Sequence, residues 1–131
     1  MALKLSEYNT LRLLRLYKNE PCLYDVNSSD YRNREARIEA IIRIAALFSL
    51  KGFGPKEVTM KFKNIRNSYS QELKRIKDSE DSDEGEVYVP KVYWFNLMDS
   101  FLRPQMYSRH GQTKRSLISD QVYVNTILYL N

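Results

Sequence analysis

Lys56, Met60, Lys63, Asn67, Ser70, Gln71 and Lys74 share one side of a helix when turned at about 100° per residue. Lysine neutralises phosphate or reaches the acceptors of guanine, and the side-chain amides of Asn and Gln can pair with adenine. The acids of this stretch, Glu57 and Glu72, lie away from the centre of that face. The opposite side holds Val58, Phe62, Ile65, Tyr69, Leu73 and Ile76 in a narrow apolar band, so only one face is core. This is the surface chemistry of a helix that enters the major groove of DNA. A surface helix with solubilising lysines has the same composition, and the face alone leaves both readings open.

Other chemistry finds little support. His110 and Cys22 are the only residues of their types, so an internal disulfide is excluded and a Cys/His zinc site nearly so, and no metal ligand set or cofactor is expected. No G-x-S-x-G elbow or paired-histidine motif occurs. Lys51-Gly52-Phe53-Gly54-Pro55-Lys56 lacks the G-K-[ST] ending of a phosphate loop and reads as a helix–helix turn. Cys22 reads as a small core residue and His110 as a linker side chain. The run 78–86 lacks the spacing of a calcium loop and reads as a solvating loop, with Ser79 and Ser82 open to phosphorylation. An enzyme acting on a small-molecule substrate is not expected.

The elements that would position the basic face follow from periodicity and caps. A first helix is predicted from about Ser6 to Lys18, with Ser6 as cap and Tyr8, Leu11, Leu14 and Leu16/Tyr17 on its apolar side; Pro21 blocks its continuation. A second is predicted from about Arg34 to Leu50. Its stripe is Ile38, Ile41, Ile42, Ala45 and Phe48, broadened by Ile44 and Leu47, which makes it the helix expected to be most buried. Gly52 lies just past it, at a left-handed position. The third opens on Pro55, a natural first-turn residue, and reaches about Lys77. The acidic run 78–86 is expected to be a mobile loop, and Val87-Tyr88-Val89 a short extended piece. A fourth helix fits Lys91 to Leu102, with Trp94, Met98 and Phe101 on one side, ended by Pro104. Residues 105–116 read as linker, and Leu117 to Asn131 equally as helix or strand.

With 131 residues, 43% hydrophobic and 28% charged, the chain suffices for one domain with a real core. Its apolar runs are too short to span a membrane, and its start lacks the apolar stretch of a signal peptide. The net charge of +5 is unevenly spread: residues 1–77 hold 16 bases against 8 acids, residues 78–86 hold 6 acids and no base, and residues 87–131 hold 5 bases against 2 acids. An acidic partner such as nucleic acid suits the basic part. The acidic run would then act as an electrostatic brake on DNA binding.

The order of these features resembles the MADF domain, a Myb/SANT-like DNA-binding module of insect regulatory proteins. Leu11-Arg12-Leu13-Leu14 and Glu20-Pro21-Cys22-Leu23-Tyr24-Asp25 are similar to that family's first helix and "P-x-L-W-D" turn. Asp30-Tyr31-Arg32-Asn33 resembles its "D-Y-K-N" stretch, and Lys61-Phe62-Lys63-Asn64-Ile65-Arg66-Asn67-Ser68-Tyr69 its "K-W-K-N-L-R-x-x-Y" core. Val92 to Leu102 is similar to its closing "W-x-[YF]…L-x-F-L". Tyr24, Ile41 and Phe62 stand where the family has tryptophan; all are apolar or aromatic, so a core survives. The tail after Arg109 matches no family feature, and the chain is either part of a longer protein or a short divergent member.

The resemblance implies an all-α, Myb/SANT-like three-helix domain of helix-turn-helix type, with an additional C-terminal helix and an uncertain tail. The domain would span residues 6–104 and include the acidic loop 78–86, with 105–131 as linker and apolar tail. It implies a partner, double-stranded DNA, a nuclear location, and a role in transcription or chromatin regulation, with the third helix (about 55–77) in the major groove. Lys63, Asn67, Gln71 and Lys74 would face the groove or its phosphates; Lys56, Lys61 and Arg66 would add phosphate contacts from the helix start and flanks. Tyr31 and Trp94 are placed in the core. The alternative is a protein–protein interaction module of a chromatin complex that does not touch DNA, for which ten tyrosines leave room.

The uncharged run Val122 to Leu130 is costly to leave in water, and self-association through it would give a homodimer with two basic helices for one duplex. Truncation after Gln112 is expected to change the oligomeric state in a sizing experiment or to lower the melting temperature. A truncated chain unchanged in both would show that the tail neither pairs nor packs.

Overall fold

The computed structural model describes residues 4–82 and 85–110, with the backbone alone described for 106–110. Within them lie four helices, α1 (Glu7–Lys18), α2 (Arg34–Phe48), α3 (Pro55–Asp81) and α4 (Phe95–His110), and a 3₁₀ turn at Pro21–Leu23; no strand occurs among the described residues. This is the expected all-α architecture of three helices and a fourth. The expectations for the tail, residues 111–131, lie outside the described residues.

α1 begins as predicted: the Ser6 hydroxyl oxygen accepts from the backbone N–H of Asn9 at 3.1 Å, and Glu7 sits in the first turn. Leu13, Leu14 and Tyr17 are buried, while Tyr8 is exposed, on the side away from the core. The 3₁₀ turn buries Cys22 and Leu23. It is tied to α2 from both sides. Glu20 accepts two hydrogen bonds from the Arg43 guanidinium, at 3.0 and 2.7 Å. Arg37 donates to the carbonyls of Cys22 and Tyr31, each at 3.2 Å.

That second tie corrects the predicted face of α2. Its buried side is Arg37, Ala40, Ile44 and Phe48, whereas Ile38, Ile42 and Leu47 are 48%, 51% and 65% exposed, so α2 is not the most buried helix. A hydropathy pattern assigns Arg37 to solvent. Here its charge is held by two backbone carbonyls and the face of Tyr31, and the small Ala40 completes the inward stripe. α2 also stops earlier than expected. Ser49 takes the left-handed cap position at φ 51°, and Gly52, at φ 77°, serves the turn beyond. The last carbonyl of α2, Phe48, accepts from Arg12 of α1 at 2.8 Å, and the same guanidinium lies over the Phe48 ring.

α3 starts on Pro55, with the Glu57 carboxylate accepting from the N–H of Gly54 at 2.9 Å. It runs past Lys77 to Asp81, so the first part of the expected acidic loop is helical. The pairs Lys74–Asp78 (3.0 Å) and Lys77–Asp81 (3.6 Å) bridge successive turns and support the extension. Val87 and Val89 remain exposed in irregular backbone, while Tyr88 folds back onto α3. α4 does not begin at Lys91 and does not end at Pro104; Pro104 sits inside it. Proline forfeits one intrahelical bond, to the carbonyl of Ser100, but the turn before it is held by Arg103–Asp99 at 2.8 Å and by the burial of Phe101 and Leu102. The expected linker 105–116 is thus helical as far as His110.

The helices close on one aromatic core. Phe62 lies flat on Tyr17, centroids 3.5 Å apart, with Phe101 of α4 at 6.4 Å. Tyr69 meets Phe95 at 5.4 Å, next to the expected partner Trp94, which is itself buried, as is Tyr31. Phe62 is fully buried against both neighbours, so Phe62→Ala is expected to cost about 3–5 kcal/mol in chemical denaturation. A loss below about 1 kcal/mol would contradict this packing.

Candidate nucleic-acid interface

α3 is fixed along its length by its inner face. Val58, Phe62, Ile65 and Tyr69 are buried, as the band predicted. Beyond the ring stack, Tyr69 donates from its hydroxyl to Asp99 at 2.6 Å, and Asp99 also accepts from Arg103. Burial and the neighbouring carboxylate push the Tyr69 hydroxyl well above its ordinary pKa, so it remains a donor at any physiological pH. Near the far end, the Tyr88 N–H donates to Ser79 Oγ and the Tyr88 hydroxyl donates to Glu72, both at 2.7 Å. Rotation of α3 about its axis would break each of these contacts.

The outer face follows from that rotation. Lys56, Lys63, Asn67, Gln71 and Lys74 are all exposed and lie together along one side of the helix. Among the described residues no ion pair or hydrogen bond engages Lys56, Lys63, Asn67 or Gln71. Lys74 is brought into the same line but pairs with Asp78 at 3.0 Å. Pairs this exposed are worth at most about 1 kcal/mol, so a phosphate can displace the carboxylate.

Two of the expected residues stand apart. Lys61 is half-buried on the other flank, and burial lowers its ammonium below the ordinary lysine value. Arg66 is 1% exposed, with its guanidinium 4.9 Å from the centroid of Phe62. Buried there, its charge is not presented to solvent, and this placement does not fit the phosphate contact expected of it. The signal was in the spacing: Arg66 follows Phe62 by four residues and precedes Tyr69 by three, which places it on the margin of the apolar band. Sequence reasoning also left Asn64 out. It is exposed, four residues beyond Met60 and three before Asn67, on the same outer face.

Away from α3, burial raises the Cys22 thiol above its usual pKa, which keeps it a protonated core group. Among the described residues no three His, Cys, Asp or Glu side chains gather as a metal site would require, and no helix is long and apolar enough to cross a membrane.

A family model described as "Alcohol dehydrogenase transcription factor Myb/SANT-like" matches residues 13–102. The chain belongs to the MADF family of DNA-binding domains. No curated protein and no solved structure matches the chain. The family description is that of a transcription factor, and the family is a DNA-binding domain rather than an enzyme class. The matched span of the MADF domain runs from within α1 to within α4, and contains the whole of α3.

In the MADF domain Arg66 is part of the core and Lys63, three residues before it, part of the surface. Arg66→Ala is therefore expected to lower stability by about 2 kcal/mol or more, while Lys63→Ala leaves it within about 0.5 kcal/mol of wild type. Denaturation curves for the two variants check the division, and a neutral Arg66→Ala would undo it.

Proposed function

We propose that this MADF domain is the double-stranded DNA-binding module of a nuclear transcriptional or chromatin regulator, with α3 lying in the major groove. The observation that carries the proposal is the stripe Lys56, Lys63, Asn67, Gln71 and Lys74, exposed on a helix whose other face is locked into the core. α1, α2 and α4 hold the helix, and the turn from Ser49 to Gly54 gives α2 and α3 their helix-turn-helix connection. Lys56, Lys63 and Lys74 neutralise phosphates along one edge, and Lys61 adds a weaker contribution from the other. Asn67 and Gln71 present amides to base edges between them.

One observation favours the interaction-module reading: Ile38 and Ile42, one turn apart on α2, are half exposed and offer a chromatin protein an apolar foothold. The two readings separate on α3.

Affinity for a random duplex, measured by gel shift, is expected to fall with salt at a slope of about −4 in log K against log[salt], from about four phosphates neutralised. Changing Lys63 and Lys74 together to Glu should abolish binding while the domain stays folded, since both side chains are exposed and loss of the surface Lys74–Asp78 pair costs at most about 1 kcal/mol. Unchanged affinity in that variant would favour the interaction module.

A further inference from the structure

The outer face of α3 has an internal order. Its centre line is Met60, Asn64, Asn67 and Gln71, in steps of four, three and four, which at about 100° per residue fall within about 60° of arc. All four are exposed, and among the described residues none of the three amides has a hydrogen-bond partner. The lysines flank this line: Lys56 and Lys74 about 20° and Lys63 about 40° beyond Asn67 form a row along one margin, with Lys61 about 60° beyond Asn64 on the other. A helix in the major groove faces a phosphate strand on each side and base edges in between. The margins of α3 thus have the chemistry of phosphate contact, and its centre has the chemistry of base contact.

We propose that this centre line reads A·T base pairs, with Asn64, Asn67 and Gln71 as the adenine readers and Met60 against the thymine methyl group. The proposal rests on the DNA-binding reading above and names its target class. A side-chain amide offers one N–H donor and one carbonyl acceptor. Adenine presents the matching pair, the N7 acceptor beside the N6 donor, whereas guanine presents two acceptors, N7 and O6, and leaves the amide carbonyl facing an oxygen. Arginine, which matches guanine with two donors, is missing from the centre line, and the lysines that can also reach guanine stand on its margins, toward the phosphates. Arg66 is buried in the core, and Arg75, off to one side, donates to Glu72 at 3.0 Å. Met60 is 45% exposed in an otherwise polar row. The C5-methyl of thymine is the apolar group of the major-groove edge, and a flexible thioether can settle on it. Met60 and Asn67 are about 10 Å apart along the helix axis, which matches about three base-pair steps.

Anisotropy titrations of the full chain at constant salt test this, with duplex pools whose central positions are randomised over A·T pairs alone or over G·C pairs alone. The A·T pool is expected to bind about tenfold more tightly, the discrimination of one well-formed amide–adenine contact. Replacing thymine by uracil removes only the methyl group, and is expected to cost about fourfold with the wild-type chain and nothing with Met60→Ala. Replacing adenine by 7-deazaadenine removes the N7 acceptor. It should weaken wild type several-fold and Asn67→Ala by less, the remaining loss coming from Asn64 and Gln71. Both variants change exposed side chains, so their folds serve as controls. Equal affinity for the two pools, or a preference for G·C, would overturn the assignment while leaving DNA binding intact. So would an A·T preference indifferent to uracil and 7-deazaadenine, which would place the readout in DNA shape or the minor groove. Failure to bind either pool at low salt would overturn the DNA-binding reading itself, and this inference with it.

Discussion

The flat contact between Tyr17 and Phe62 sets the rotation of α3. Two aromatic faces at 3.5 Å and nearly parallel exclude water from the centre of the domain, and Phe101 closes the same site from α4. A face-to-face pair this close contributes through dispersion and buried area, not through the quadrupole attraction of offset or edge-on pairs. The larger consequence is geometric. Once Phe62 is committed to the core, the residues half a turn away, Met60, Asn64, Asn67 and Gln71, have nowhere to point but outward.

Charge is sorted along the same helix. The first turns of α3 carry lysines without acidic partners among the described residues, and the last turns carry lysines matched to Asp78 and Asp81. Acids at a helix C-terminus oppose the helix dipole. The extension to Asp81 therefore depends on the pairs across its turns and on Tyr88, which folds back to Ser79 and Glu72. A basic entry and a balanced exit give the helix an electrostatic direction relative to a phosphate backbone.

Arg37 and Arg66, both buried, show how a polar group can belong to the core of a basic domain. Arg37 ends on the carbonyls of Cys22 and Tyr31, and thereby joins the 3₁₀ turn, the following loop and α2. Arg66 lies over Phe62. Both side chains use long methylene stems to fill space where an aliphatic residue would leave backbone acceptors or ring faces unmatched. Of the seven residues the sequence nominated for DNA, Arg66 is the one that structure moves from surface to scaffold.

What sequence alone determined were the features written in short-range rules: the Ser6 cap, the Pro55 start, the apolar band of α3 and the lysine and amide residues opposite it. These depend on spacing within one helix, and a period of 3.6 residues survives any arrangement of its neighbours. The family motifs were legible for the same reason, since they are local strings. Tertiary structure decided the rest. It turned α2 so that Arg37 and Ala40 face inward and Ile38 and Ile42 outward, because carbonyls from a distant loop were there to receive a guanidinium. It carried α4 through Pro104, because Phe101, Leu102 and the Arg103–Asp99 pair held the preceding turn. It placed Arg66 under the surface, with its guanidinium over the Phe62 ring. The burial behind each of these outcomes comes from groups far apart in sequence, and spacing within α3 could place Arg66 only on the margin of the apolar band.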